Sequence, residues 1–406
     1  MKIPLVHKFE KLYCYIIAIL LIVTTRGIWM YDRGTNVTYS QLSRLVSVIM
    51  LIGFMFMCLY NHKLRIPRFV QYKLVIAIVC MTVYFLISTI NRDVYVMIFV
   101  IPFICATMFL LRGSDKNNVW YCFTNVMLVL AVISLIFYIG GTILNIIPPT
   151  GMITFDWPYP KSCNNYFNLY YEAQKVNMGG GIFKQRNCGF FTEAPMYNLV
   201  LCIAMGVEVF LKTKYNMIKC IILATTIITT QSTTGLLFII VIVVLSFINR
   251  SFATKQPSIK KIIVIMLLVL GGVVTNEIIG NKTTHVSGNN SVQVRTDHLW
   301  ACLKTFMRNP IYGCGFNNSQ GVLEAARYKQ GMSVGLPYML ATGGLLLSSN
   351  MIIPFVMNTI KSWKIREYEK ICFEVSIIIL YFFTAVTSTP IMLFFMAYMV
   401  TREIGE

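Results

Sequence analysis

The sequence predicts an all-α polytopic integral membrane protein of about twelve transmembrane helices, each needing about 20 apolar residues, with two long external loops. Three observations predict it. Of 406 residues, 56% are hydrophobic and 13% charged, and the mean hydropathy is +0.67; a soluble domain carries about 25% charged residues. Apolar runs recur along the chain, and backbone crossing lipid must satisfy its own polar groups, so the runs are read as helices. The basic residues cluster in alternate connections, as the positive-inside rule requires.

Taken in order, the run Leu12–Thr25 follows basic residues, and no small-residue cleavage site comes after it. It is read as the first span and not as a removed signal peptide. Leu45–Tyr60, Leu74–Ile90, Val94–Leu111 and Trp120–Leu144 complete a first group of spans within residues 1–144. A polar stretch, residues 145–189, interrupts the pattern as a first external loop. Thr192–Leu211, Asn216–Thr230, Thr234–Ile248 and Ile262–Ile278 fill residues 190–279, and residues 280–334 form a second external loop. Gly335–Thr359, Ile371–Val386 and Pro390–Val400 close the chain within residues 335–406.

With the N-terminus cytoplasmic, alternate connections hold Lys63, Arg65, Arg68 and Lys73, then Lys212, Lys214 and Lys219, then Arg250, Lys255, Lys260 and Lys261, then Lys361, Lys364, Arg366 and Lys370. This pattern decides one boundary. A single helix from Asn216 to Ile248 would put the Arg250–Lys261 cluster outside, whereas a break at Gln231-Ser232-Thr233-Thr234-Gly235 keeps it inside. Thr387-Ser388-Thr389-Pro390 is read as a similar turn. Much of the net charge of +19 is therefore a topology signal, and no nucleic-acid partner is expected.

Most of the twelve cysteines sit singly in apolar runs, where they act as small apolar residues. Cys163 with Cys188, and Cys302 with Cys314, lie near the outer face, but no CxxC occurs, and a disulfide framework is not the preferred reading. There is no GxxxxGK[ST], GxGxxG after a strand, HExxH or GxSxG motif. No cytoplasmic connection is large enough for a nucleotide-binding fold. Chemistry on the outer face would have to draw its energy from an activated, membrane-delivered substrate.

The first loop contains Asp156-Trp157-Pro158-Tyr159-Pro160 and the tyrosines Tyr166, Tyr170 and Tyr171. Such aromatics suit the bilayer interface, the preferred reading, or stacking on sugar rings. After Gly179-Gly180-Gly181 comes Lys184-Gln185-Arg186-Asn187-Cys188-Gly189-Phe190-Phe191-Thr192-Glu193-Ala194-Pro195. It places two cations, a hinge glycine and a carboxylate where the chain re-enters the membrane. Arg186 suits either nonspecific lipid phosphate contact or a bidentate grip on a diphosphate. Glu193 precedes a helix with Pro195 in its first turn, and interaction with the helix N-terminus is its simpler role.

In the second loop, Arg295-Thr296-Asp297-His298 precedes a run in which Leu299, Trp300, Cys302, Leu303, Phe306 and Met307 share one face at helical spacing. Thr296 or Asp297 is expected to cap this helix and Asn309-Pro310 to stop it. A short amphipathic helix on the outer surface would hold Arg295 near the headgroups. In Ile311-Tyr312-Gly313-Cys314-Gly315-Phe316-Asn317-Asn318 the glycines let backbone approach a ligand, or simply make a turn. His285 and His298 are the histidines of this face, and a lone loop histidine is more often solvated than catalytic.

Together these segments resemble the membrane family of O-antigen polymerases (Wzy-type) and O-antigen ligases. Arg186, Gly189, Phe190 or Phe191, Glu193 and Pro195 match the family's Arg–Gly–Phe–x–Glu–Pro element, with an extra residue before the proline. Ser232-Thr233-Thr234-Gly235 matches a Ser/Thr-Gly turn in which Thr233 or Thr234 replaces an arginine common there. Arg295, Trp300 and Asn309-Pro310-Ile311-Tyr312-Gly313-Cys314-Gly315-Phe316-Asn317 match an arginine, an aromatic helix and an Asn–Pro–x–x–Gly–x–Gly–aromatic–Asn signature. The resemblance runs from about Arg186 to Leu347. Ligases of the family carry a histidine shortly after the glycine signature, and Gly321 to Gly344 contains none, which favours polymerase.

The resemblance implies a glycosyltransferase in the bacterial plasma membrane, acting on undecaprenyl-diphosphate-linked oligosaccharide repeat units and needing neither metal nor cofactor. Arg186 and Arg295 are then the candidate clamps on the leaving diphosphate. Glu193 is the leading candidate base, ahead of Asp297 and His298. Lys184, Gly189, Trp300, Arg308, Gly313, Gly315 and Asn317 are candidate substrate contacts. A flippase and a chain-length regulator are the protein partners implied. The alternatives are a ligase of finished polymer, and a flippase or transporter; the chain lacks the internal repeat common in transporters.

Overall fold

Within the described residues the apolar runs fold as helices in the order in which they occur. The computed structural model describes residues 3–32, 39–60, 66–157, 159–177, 183–254, 291–329 and 331–404. Its helices are α1 (Ile3–Val23), α2 (Tyr39–Tyr60), α3 (Arg68–Ile87), α4 (Arg92–Arg112), α5 (Asn118–Ile143), α6 (Ala194–Leu211), α7 (Met217–Thr229), α8 (Thr233–Thr254), α9 (Ser291–Arg308), α10 (Ser319–Leu323), α11 (Leu336–Ile365), α12 (Tyr368–Phe383) and α13 (Pro390–Thr401). Strands β1 (Gly151–Asp156), β2 (Pro160–Tyr166), β3 (Tyr170–Tyr171), β4 (Lys175–Asn177) and β5 (Phe183–Gln185) interrupt the series between α5 and α6. Helices α3, α4, α5, α6 and α11 are long and apolar enough to cross a bilayer. The span expected at Ile262–Ile278, the basic residues Lys63, Arg65, Lys255, Lys260 and Lys261, the glycines Gly179–Gly181, and His285 lie outside the described residues.

The chain divides into two compact units, one of Met1–Tyr13, Ser43–Lys116 and Ser287–Glu406, the other of Cys14–Leu42 and Asn117–Val286. In the first, α13 packs on α4, and α11 packs on α3, α12 and α9. All twelve residues of α13 are buried, the signature of a helix apolar on every side. Helix α3 instead leaves Tyr72, Val75, Ile78, Val79 and Leu86 exposed as an apolar face.

Two expectations change in this unit. Lys73 is not a loop charge: it lies within α3 and is 0% exposed. Its Nζ donates to Asn358 Oδ1 at 2.8 Å and to the carbonyls of Met399 and Arg402 at 2.8 and 2.9 Å. Arg402 donates to Glu374 at 2.6 Å and to Ser362 at 2.7 Å, while Asn358 donates to Glu374 at 3.0 Å. Positive-inside counting assigns a lysine by its neighbours in sequence. Burial here follows from the acceptors that α11, α13 and the residue ending α13 supply together.

The span Gly335–Thr359 is also interrupted. Helix α11 runs from Leu336 to Ile365 but breaks at Gly344, where φ is 59° and ψ −161°. A broken helix must satisfy the backbone groups it frees, and the glycine signature does so. Cys314 and Gly315 N–H donate to Ala341 and Thr342 at 2.9 and 3.0 Å, and Leu345 and Leu346 N–H donate to Pro310 and Ile311 at 2.8 and 3.1 Å.

The second unit is centred on α6, which packs against α5, α7 and α8. The chain breaks between α7 and α8, with Gln231 left-handed at φ 51°. Gly235 permits close packing there: a Cβ at this position would lie 2.1 Å from Asn198 Oδ1. The all-α expectation fails at the first loop, where β1, β2 and β3 form an antiparallel sheet and β4 pairs with β5. Phe167 and Asn168, both left-handed, turn the chain between β2 and β3, and Asn168 N–H donates to Asn165 Oδ1 at 2.8 Å. Tyr166, Tyr170 and Tyr171 are buried, not interfacial. Tyr166 and Tyr170 join Tyr138, Phe137 and Ile147 in a local apolar cluster, because a sheet of this size needs an apolar face to pack on a helix.

Candidate functional site

The Lys184–Pro195 segment is fixed almost residue by residue. Lys184 is exposed on β5. Arg186 N–H donates to Gln174 O at 3.0 Å, and Asn187 N–H to Thr229 O at 3.2 Å. The Asn187 side chain is buried, donating to Thr229 Oγ1 and Ser134 Oγ and accepting from Gly189 N–H. Gly189 is left-handed, at φ 55°, over the Tyr197 ring. Trp29, Phe190, Phe191 and Tyr197 then stack in succession.

This scaffold aims the Arg186 guanidinium. Its Nε donates to Thr230 O at 2.8 Å and its Nη1 to Gln174 Oε1 at 3.2 Å. Thr230 caps the C-terminus of α7, the electronegative end of a helix. Among the described residues no carboxylate lies within ion-pair distance of Arg186. Burial lowers its pKa from the ordinary arginine value.

Glu193 is extended at the N-cap of α6, with Pro195 in the first turn as expected, but its carboxylate makes no cap hydrogen bond. Gln174 Oε1 takes the Ala194 N–H at 3.1 Å instead, and Glu193 pairs with Arg26 at 2.7 Å. Gln174 therefore bridges Arg186 to the helix start that carries Glu193. The Arg26 guanidinium also lies 4.4 Å from the centroid of Trp157. Sequence reasoning missed Arg26 and Gln174. Arg26 left a signal: on the expected topology it is a basic residue at the outer end of the first span, against the positive-inside trend. Gln174 left none.

In the other unit, α9 begins at Ser291, so Arg295, Asp297 and His298 lie inside a helix and not ahead of it. Asp297 caps a different turn, accepting from Arg327 and Tyr328 N–H at 2.7 and 3.0 Å. His298 is 0% exposed, its ring nitrogens 2.8 Å from Ser333 Oγ and 3.1 Å from Tyr328 O. Ala301, Cys302 and Thr305 continue this buried face, whereas Trp300 and Met307 are 65% and 69% exposed. The helix packs on α11 by one face and leaves the aromatic one open. Arg295 is half-buried on α9, and Arg308 is exposed in its last turn.

Gly313 and Gly315 are left-handed, at φ 70° and 107°. Their close approach is to protein: a Cβ on Gly313 would lie 2.5 Å from Thr342 C, and one on Gly315 2.8 Å from Ile90 Cβ. Asn317, at φ 54°, accepts from Tyr338 OH at 3.4 Å. Gly344→Ala is expected to cost about 3 kcal/mol, because its φ/ψ is almost restricted to glycine and a Cβ would strike Ile311 backbone. A lowered thermal midpoint of the detergent-solubilised protein would register it. Cys163, Cys188, Cys302 and Cys314 are all free thiols, and burial pushes each of them up, Cys163, Cys188 and Cys302 to about 12 and Cys314 to about 11.

Apolar helices of bilayer length and polar loops that hold ordered cations define a helical membrane protein. Residues 218–341 match the family model described as O-Antigen ligase. The match takes in the Ser232–Gly235 turn, Arg295 and the Asn309–Phe316 signature, and the Arg186–Pro195 element lies outside it. The resemblance to the Wzy-type polymerase and O-antigen ligase family is thereby shown. No curated protein matches the chain.

Proposed function

We propose that the protein is a polysaccharide repeat-unit polymerase of the bacterial plasma membrane. It would transfer a growing chain from undecaprenyl diphosphate to a sugar hydroxyl of the next lipid-linked unit. The acceptor oxygen bonds to the anomeric carbon, the bond from that carbon to the diphosphate oxygen breaks, and the hydroxyl proton passes to a base. The lipid diphosphate leaves with the bonding electrons. The matched family supports an activity on lipid-linked sugars in O-antigen-related polysaccharide biosynthesis.

The observation that carries the reading is Arg186: an ordered, partly buried cation held only by neutral oxygens among the described residues. Such a group is set to bind an anion, and a guanidinium suits a diphosphate. Glu193 is the proposed base, being the carboxylate linked to Arg186 through Gln174. Arg295 is proposed as a second cation on residue type. Asp297 and His298 are assigned to holding Arg327, Tyr328 and Ser333 on α9, since Asp297 Oδ2 and both His298 ring nitrogens are engaged there. Ligase-like transfer of finished polymer is the second reading, favoured by the description of the matched family model. The missing histidine between Gly321 and Gly344 weighs against it.

The test is deletion of the gene in its host, with complementation by wild type, Arg186→Ala or Arg295→Ala at matched membrane abundance. Polymer lost, single repeat units retained and rescue by wild type alone would support the polymerase. Long lipid-linked polymer left unattached would identify a ligase instead, and repeat units trapped on the cytoplasmic side would identify a transporter.

A further inference from the structure

Arg26 occupies a position at which its backbone is strained and its side chain is committed. It follows α1 in the left-handed conformation, at φ 61°, where a helix terminus favours glycine. A neighbouring glycine, Gly27, follows at φ −61°, so the chain has placed arginine and not glycine at the left-handed site. The segment is held tightly: Thr192 N–H and Oγ1 donate to Arg26 O at 3.1 and 3.3 Å, and Ile28 N–H donates to Phe190 O at 2.9 Å. The guanidinium is thereby fixed between the Trp157 face at 4.4 Å and the Glu193 carboxylate at 2.7 Å. Both partners of the ion pair keep water access, with side-chain exposures of 19% and 23%.

A carboxylate paired to arginine is a poor proton acceptor, and an arginine paired to carboxylate is a poor anion site. Glu193 belongs to the segment that carries Arg186, and Arg26 is tied to that segment through Thr192 and Glu193. We propose that Arg26 is a further anion-binding residue, and that its ion pair with Glu193 is a resting lock which the substrate diphosphate opens. The incoming diphosphate takes the Arg26 guanidinium, and the Glu193 carboxylate is released to act as base. Binding and base activation are thus coupled through one arginine. The inference rests on the reading that the substrate carries a diphosphate.

The probe is inorganic pyrophosphate, titrated onto the full-length detergent-solubilised protein by calorimetry. Four forms are compared: wild type, Glu193→Gln, Arg26→Gly and the double variant. Glycine suits φ 61°, so Arg26→Gly removes the guanidinium without adding backbone strain, and thermal midpoints check that each variant is folded. Removing the competing carboxylate is expected to tighten pyrophosphate about three- to tenfold, on the scale of a partly exposed ion pair. In the Arg26→Gly background the same change should have no effect.

A second signal is the Trp157 emission, taken as the difference between wild type and Trp157→Phe. It should shift on pyrophosphate addition in wild type and not in Arg26→Gly. Unchanged or weaker binding in Glu193→Gln, or equal tightening with and without Arg26, would overturn the lock. These measurements read anion exchange alone. The glycan ladder reads the reaction, so a failed lock and a failed polymerase assignment give different results.

Discussion

Arg186→Lys is expected to lower polymer formation on the order of a hundredfold, and Arg186→Ala up to about a thousandfold, the range for removing one preorganised charge donor. Lysine keeps the charge but not the geometry. Arg186 uses Nε on Thr230 O and Nη1 on Gln174 Oε1, which leaves the rest of a rigid fork to meet an anion. An ammonium on a flexible stem cannot satisfy Thr230, Gln174 and a diphosphate together. Initial rates on purified lipid-linked repeat units would measure the loss. Most of it should fall on kcat, because the charge on the leaving diphosphate grows in the transition state. A lysine variant with wild-type rates would remove Arg186 from the chemistry.

Glu374→Ala is expected to destabilise the first unit by about 3–5 kcal/mol, the cost of leaving a buried charge without its partner. Glu374 and Arg402 are 0% and 3% exposed, 2.6 Å apart, and Asn358 and Lys73 continue the network. Arg402 would lose its closest counter-ion where water cannot replace it. Replacing Glu374 and Arg402 together by methionine should recover part of the loss, since neither charge is then stranded. Thermal unfolding in detergent would measure both variants. A midpoint unchanged in Glu374→Ala would show that the pair contributes nothing to the fold.

Apolar runs, the break between α7 and α8 and the Pro195 start of α6 were legible because each rests on local chemistry: hydrocarbon length, backbone satisfaction, a fixed φ. The order Arg186, Ser232–Gly235, Arg295, Asn309–Phe316 likewise pointed to the family whose model residues 218–341 match. Pairing was not legible. Glu193 reads as a helix-terminus carboxylate until Arg26, 167 residues earlier, proves to hold it. The glycines of Asn309–Phe316 read as a ligand cradle until the break at Gly344 supplies backbone for them to meet. Lys73 reads as a topology marker until Asn358 and two carbonyls from α13 and its end close around it. Local sequence fixes which segments must leave water, because that depends on composition within about 20 residues. Which charge meets which partner depends on packing between segments far apart in the chain, and one-dimensional spacing does not encode it.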